Sequence, residues 1–335
     1  MEIDRRSTLI APLAAALAGS LAEPLVAQTA PPARAGDPPP GLPQPTETID
    51  LWPNGAPGAP ATLPVETVVE ESPDRSINDR AVQGIAVPRL VVFRPQRPNG
   101  AAMLLMPGGG YRRIVIDREG YELARYLSDR GVTCFVLFYR LPGDGWADAP
   151  DAPLQDAQRA MRLIRARAAT YGLAPERVGA MGFSAGGHMC AELAVRHDAH
   201  VYAPVDSADA MTAKPFVAAP LYPVISMIRP DAHPGSRNLL LGDTPSRAMQ
   251  ERHSPHLNVT ASTPPCFLCA AEDDRTVPVK NSLLFNEALR AKQVPVEMHL
   301  FGEGGHGFGL RRAIGKPVAI WPELFLNWAR TQGFV

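Results

Sequence analysis

The chain has 335 residues, of which 45% are hydrophobic and 20% charged. A sizeable core can therefore be buried, and wholesale disorder is excluded. Lys+Arg is 33 and Asp+Glu is 34, a formal net charge of -1 with no basic run, so no electrostatic footprint for nucleic acid or an anionic membrane is present. Four cysteines in this length do not make a disulfide scaffold.

Residues 1–30 read as an export signal. Arg5 and Arg6 precede a mostly apolar run over 9–21, the pattern of a twin-arginine signal, and Ala27 or Ala30 could precede the cleavage point. The run is shorter than the roughly 18 apolar residues that span a bilayer, so the mature chain is expected not to insert in a membrane. A periplasmic or secreted location follows. Residues 24–64 hold twelve of the 36 prolines. Proline lacks a backbone donor and fixes φ, so 31–64 is expected to be a linker, its last part lying along the surface of a domain over 65–335.

Within that domain, 65–71 and 88–95 are expected as early antiparallel strands. The continuous apolar runs 101–107 and 132–139 suit strands buried on both faces, with a helix over 119–130 between them. A helix over 154–172, a short strand over 177–183 and a helix over 184–196 follow. Strands at 215–223, 264–271 and 294–301 alternate with helices at 279–292 and 321–332. Such alternation predicts an α/β fold with a mostly parallel sheet covered on both faces. Functional loops then lie beyond the carboxyl ends of the strands.

Gly182-Phe183-Ser184-Ala185-Gly186 is a G-x-S-x-G motif between a predicted strand and a predicted helix. There the turn is sharp, the serine is pushed outward, and the first helical amides face any oxyanion formed beside it. A serine hydroxyl needs a base, and the base needs an orienting acid; in this architecture the order is serine, acid, histidine. Of eight histidines, only His299 and His306 follow the last acid-bearing loop. His299 sits inside a strand, whereas His306 lies in the glycine-rich loop 302–309, so His306 is the candidate base. His188 is on the serine's own helix and is expected not to reach the hydroxyl. Asp274, three residues before Val277-Pro278, is preferred to Asp273 as the acid, with Asp206 and Asp209 as more distant choices. The amide of Ala185 and one of Gly109 or Gly110, in the loop after the 101–107 strand, are the candidate oxyanion donors.

Other signals are weaker. Cys266-x-x-Cys269 lies in a core strand, where residues three apart face opposite ways, and it lacks a second ligand pair. His253-x-x-His256 has no clean helix, so no metal or cofactor is expected. Residues 224–262 suit a small partial lid. Tyr111 and Trp146 could stack on a sugar or an aromatic acyl group, or anchor their loops. Arg112, Arg113 and Arg275 fall near the predicted site.

The segments MPGGGY, YRLP, LQDAQRAMRLIRARA, GFSAGGH, AAEDDRTVPVKNSLLFNEALR and GGHGFGL, in this order, resemble the α/β-hydrolase esterases of the acetylxylan esterase-like or feruloyl-esterase-like group, related to the hormone-sensitive-lipase type. The likeness runs from about Leu51 to Ala329. It implies an α/β-hydrolase fold and the same assignments: Ser184 nucleophile, Asp274 acid, His306 base, and Gly109, Gly110 and Ala185 as oxyanion donors. Pro107 stands where related lipases have the histidine of HGGG. The resemblance implies an ester substrate, small or oligosaccharide, with acylated plant polysaccharide as the class. A serine peptidase of the prolyl-peptidase type and a non-catalytic binding protein are the rival readings. Oligomeric state and acyl-chain length stay open.

Overall fold

The computed structural model describes residues 44–74 and 76–335. The expected export signal and the first part of the expected linker lie outside the described residues. Eleven strands are present among them: β1 (Pro45–Asp50), β2 (Thr67–Glu70), β3 (Arg80–Gln83), β4 (Arg89–Phe93), β5 (Ala102–Met106), β6 (Ile114–Val115), β7 (Thr133–Phe138), β8 (Val178–Phe183), β9 (Ala218–Leu221), β10 (Cys266–Ala271) and β11 (Val296–Phe301). The helices are α1 (Glu122–Ser128), α2 (Ala152–Ala166), α3 (Ala168–Tyr171), α4 (Ala185–Val195), α5 (Pro234–Leu241), α6 (Arg247–Arg252), α7 (Lys280–Ala291) and α8 (Trp321–Thr331).

Eight strands form one sheet in the order β1-β4-β7-β5-β8-β9-β10-β11. The six from β7 to β11 run parallel, while β4 is antiparallel to β7 and to β1. Every residue of β5, β7, β8 and β10 is buried, as runs such as Ala102–Met106 require when helices cover both faces. From β5 the chain moves to β7 on one side and then to β8 on the other. The crevice between the carboxyl ends of β5 and β8 is therefore the switch point at which open α/β sheets bind ligands.

Three features differ from the sequence reading. The expected linker joins the fold from Pro45, because β1 is the edge strand of the large sheet. An edge tolerates proline at its first residue, where no ladder donor is needed. Arginines on α2 and just after β7 then pin the residues that follow: Arg159 Nε donates to the Leu51 carbonyl at 2.9 Å, and Arg140 to the Pro57 carbonyl at 2.6 Å. Trp52 is buried and its indole N–H donates to Asp156 Oδ1 at 2.7 Å. Second, β2 does not share a sheet with β4; it pairs with β3 in a separate three-stranded sheet, β2-β3-β6. Third, the helix expected over 119–130 starts with one π-helical turn, Asp117–Tyr121, that runs into α1. The segment expected as a lid carries α5 and α6 between β9 and β10.

Candidate active site

Ser184 joins β8 to α4 with φ 54° and ψ −116°, a conformation that L-residues rarely adopt. Strain of this kind, of order 1–3 kcal/mol, persists only where surrounding contacts enforce it. Here the Ser184 N–H donates to the Leu221 carbonyl at 3.1 Å, and the Ser184 carbonyl accepts from His188 and Val224. The motif glycines permit the close approach. A Cβ at Gly182 would strike the Gly186 carbonyl, and one at Gly186 would strike that of Met106.

Two loops bring the remaining groups to this turn. After β10, Asp274 is held by its own loop: Oδ1 accepts the amides of Thr276 at 2.8 Å and Val277 at 2.9 Å. Its other oxygen, Oδ2, lies 2.6 Å from His306 Nδ1, and His306 Nε2 lies 2.8 Å from Ser184 Oγ. A carboxylate only accepts, so Nδ1 carries the proton and Nε2 presents its lone pair to the serine hydroxyl. The Asp274 side chain is 2% exposed and that of His306 18%. Asp273 has a different task. Its Oδ1 accepts the amides of Gly304 at 2.9 Å and Gly305 at 2.7 Å, which fixes the loop that carries His306. Asp206 and Asp209 pair instead with Arg159.

The glycine loop after β5 packs directly on the serine; a Cβ at Gly108 would lie 2.9 Å from Ser184 Cβ. The Gly108 amide already donates to Glu119 Oε2 at 2.8 Å, so Gly109 and Gly110 are the amides left for a ligand. Both line a cleft of about 400 Å³ together with Ser184, His306, Arg112, Arg113 and Arg118. Sequence reasoning missed two residues that tie these loops together. Glu119 Oε1 accepts the Tyr222 hydroxyl at 3.0 Å, and the Tyr222 ring meets that of His306 edge-on at 5.2 Å. Glu119 was hidden inside an expected helix, where a charged residue reads as solvated. His233, at the start of α5, also borders the cleft. Burial lowers its pKa, and the nearby His306 adds to the effect.

Neither candidate aromatic lines the cleft. Tyr111 is 1% exposed and its ring turns inward, the hydroxyl 2.7 Å from His188 Nδ1. The reason is its backbone: φ is 62°, which turns the chain after the glycines back into the core. Trp146 is 3% exposed and lies under the Arg140 guanidinium, 5.3 Å from its ring. Both anchor loops, the alternative held for them. His188 is fully buried with its Nε2 2.8 Å from the His253 carbonyl, and does not touch Ser184 Oγ. His299 pairs with Glu297 at 2.8 Å on β11. All four cysteines are free and buried. Among the described residues no group of three or more His, Cys, Asp or Glu side chains could hold a metal ion, and no helix is long and apolar enough to cross a membrane.

In sequence and in fold the chain is similar to known esterases. The sequence profile of the BD-FAE family matches residues 95–289. A solved acetyl ester-xyloside bifunctional hydrolase from Caldicellulosiruptor lactoaceticus is 33% identical, with a TM-score of 0.71 over 88% of this chain and 99% of that one. An acetylxylan esterase from Xylanibacter ruminicola is 32% identical over 66% of this chain, and an endo-1,4-beta-xylanase B from Butyrivibrio fibrisolvens 38% over 61%. This chain spans 44% of the former's length and 32% of the latter's. With more than half of its length matched by the profile, the chain belongs to the BD-FAE family of α/β-hydrolase esterases.

Proposed function

We propose that this protein hydrolyses carboxylic esters through an acyl-enzyme on Ser184, removing acetyl or other short acyl groups from xylan-type carbohydrate or small esters. The observation that carries the reading is the continuous chain Ser184 Oγ–His306–Asp274, with contacts of 2.8 and 2.6 Å, at the switch point of the sheet. In this reading His306 Nε2 takes the hydroxyl proton as Ser184 Oγ attacks the ester carbonyl. Asp274 holds the imidazole in the right tautomer and stabilises the imidazolium. The amides of Ala185 and of Gly109 or Gly110 receive the oxyanion, and one such donor contributes about 3–4 kcal/mol to the barrier reduction. His306 returns the proton to the departing alcohol. Water activated by the same imidazole then cleaves the acyl-enzyme and restores the serine.

The carbohydrate assignment is supported by the names of the relatives, an acetylxylan esterase and an acetyl ester-xyloside hydrolase. Export by residues 1–30 is part of the same proposal. It rests on Arg5, Arg6 and the apolar run behind them. The deciding experiment is hydrolysis of 4-nitrophenyl acetate and acetylated xylan by wild type and Ser184→Ala. Loss of about 10⁴-fold or more in kcat is expected for the variant, as for other serine–histidine–aspartate enzymes. Equal rates in the two proteins would remove Ser184 from the mechanism.

A further inference from the structure

The cleft that holds Ser184 and His306 is rich in arginine. Arg112, Arg113, Arg118 and Arg312 all line it. The carboxylate on that lining, Glu119, is 2% exposed and has both oxygens engaged, by the Gly108 amide and the Tyr222 hydroxyl. Arg113 is matched by Glu71 at 2.5 Å. Arg118 and Arg312 share one oxygen of Asp79, at 2.6 and 2.8 Å, and Arg311 approaches its other oxygen at 3.4 Å. Asp79 thus faces three guanidiniums, of which Arg311 also meets Glu122 at 3.2 Å. Arg112 has no ion pair among the described residues.

Arg118 supplies the second observation. It is 7% exposed, yet its Nε has no hydrogen-bond partner. A Cβ at Gly307, the residue after His306, would lie 3.8 Å from that nitrogen. A buried charged donor without an acceptor is costly, so Arg118 gains from further negative charge placed in the cleft beside the His306 loop. Guanidinium groups present a planar fork that matches a carboxylate.

We propose that the preferred substrate is an ester that also carries a carboxylate, and that Arg112, Arg118 and Arg312 hold this second group while Ser184 attacks the ester carbonyl. The proposal rests on the esterase reading and deepens it. A neutral acetyl ester brings these cations no counter-charge. The carboxylate can sit on the acyl part, as in a dicarboxylic half-ester, or on the sugar, as in a uronate-bearing oligosaccharide. Either meets the same cations.

Two matched pairs of esters test it. The first is 4-nitrophenyl hemisuccinate against its neutral methyl ester. The second is an acetylated xylo-oligosaccharide with a glucuronate branch against the same compound with the uronate methylated. In at least one pair kcat/KM is expected to favour the charged member by about ten-fold, the scale of one charge-assisted hydrogen bond. The pair that responds identifies the part bearing the carboxylate. The preference shrinks as added salt shortens the screening length, and shrinks in Arg112→Gln and Arg312→Gln. The salt series needs no variant, so it holds even where a substitution disturbs folding. Turnover of all four compounds with no preference for charge in either pair would overturn the anion subsite and leave the esterase reading standing. Failure to turn over any of them, with Ser184→Ala equally inert, would remove the esterase reading and this proposal together.

Discussion

His188 lies four residues from Ser184 and His306 lies 122 away, yet it is the distant imidazole that meets the hydroxyl. Each ring is bridged on both nitrogens. His306 has Asp274 on Nδ1 and Ser184 on Nε2. His188 has the Tyr111 hydroxyl on Nδ1 and the His253 carbonyl on Nε2. The difference lies in the surroundings. His306 borders an open cleft beside a carboxylate that can balance an imidazolium. His188 is fully buried, its carbonyl partner carries no charge, and burial pushes it down to about 4. The first ring is the one proposed to take a proton, whereas the second refuses one. Refusal has a structural use, because a neutral His188 must donate from Nε2 and so accepts from Tyr111 at Nδ1.

Beyond the elbow serine itself, the largest effect that tests this contrast is at the acid. Asp274→Asn keeps the shape but replaces an acceptor-only group with one that can donate. The imidazole then adopts the wrong tautomer, with its proton on Nε2 facing Ser184. A fall of about 10⁴-fold in kcat is expected, the size seen when the aspartate of such a triad is so changed. Ester hydrolysis at neutral pH measures it, with far-ultraviolet circular dichroism to show that folding is intact. A change below ten-fold in a folded variant would mean that His306 does not depend on Asp274.

Much of this contrast could be read from the residues. The order serine, acid, histidine selected 184, 274 and 306, because loops after strands are where an α/β sheet exposes chemistry. The parallel strands were legible as unbroken apolar runs, since a strand buried on both faces needs no alternation. What the chain did not disclose was where short polar or proline-rich segments dock. β1 depends on pairing with β4, and the residues after it on partners as distant as Arg159 and Arg140, whereas proline content alone argues against a strand there. Tyr111 was a candidate for the cleft because it follows three glycines; only its positive φ and the buried acceptor on His188 turn it inward. Glu119 and Tyr222 carried no spacing signal, as their partnership spans 103 residues.

A smaller effect probes the buried ring. The unfolded chain protonates His188 near its ordinary value of 6.5, whereas burial holds the folded state near 4. Between these values the unfolded state binds the extra proton. This contribution to stability is therefore fully present above about pH 6.5 and is lost as pH falls toward 4. One group changes stability by at most about 1.4 kcal/mol per pH unit. Glu192 behaves differently. Burial alone would raise it, but Arg196 and His253 overcome that and hold it at about 2, so it adds little to the slope until pH falls toward its ordinary value of 4.5. Urea denaturation of wild type and His188→Gln at pH 7, 6 and 5 separates the two. The variant is expected to show a flatter decline by up to one proton, and an identical slope in both proteins would show that His188 titrates normally.

The smallest effect concerns the hydroxyl that joins the two regions. Tyr111 Oη donates to His188 from the end of the glycine loop, and Gly109 and Gly110 lie just before it. Tyr111→Phe keeps the ring in its edge-on packing against His188 at 5.9 Å and Tyr139 at 6.4 Å, and removes only the bond. His188 Nδ1 is then a dry acceptor with no donor, which costs about 1–3 kcal/mol. Stability measured at pH 7 should fall by that amount. The Gly109 and Gly110 amides would lose a tether, and they are proposed to act on the oxyanion and not on the bound ester. kcat should accordingly drop several-fold while KM holds. An unchanged kcat in a measurably destabilised variant would confine Tyr111 to the core, and would separate the buried imidazole from the chemistry at the cleft.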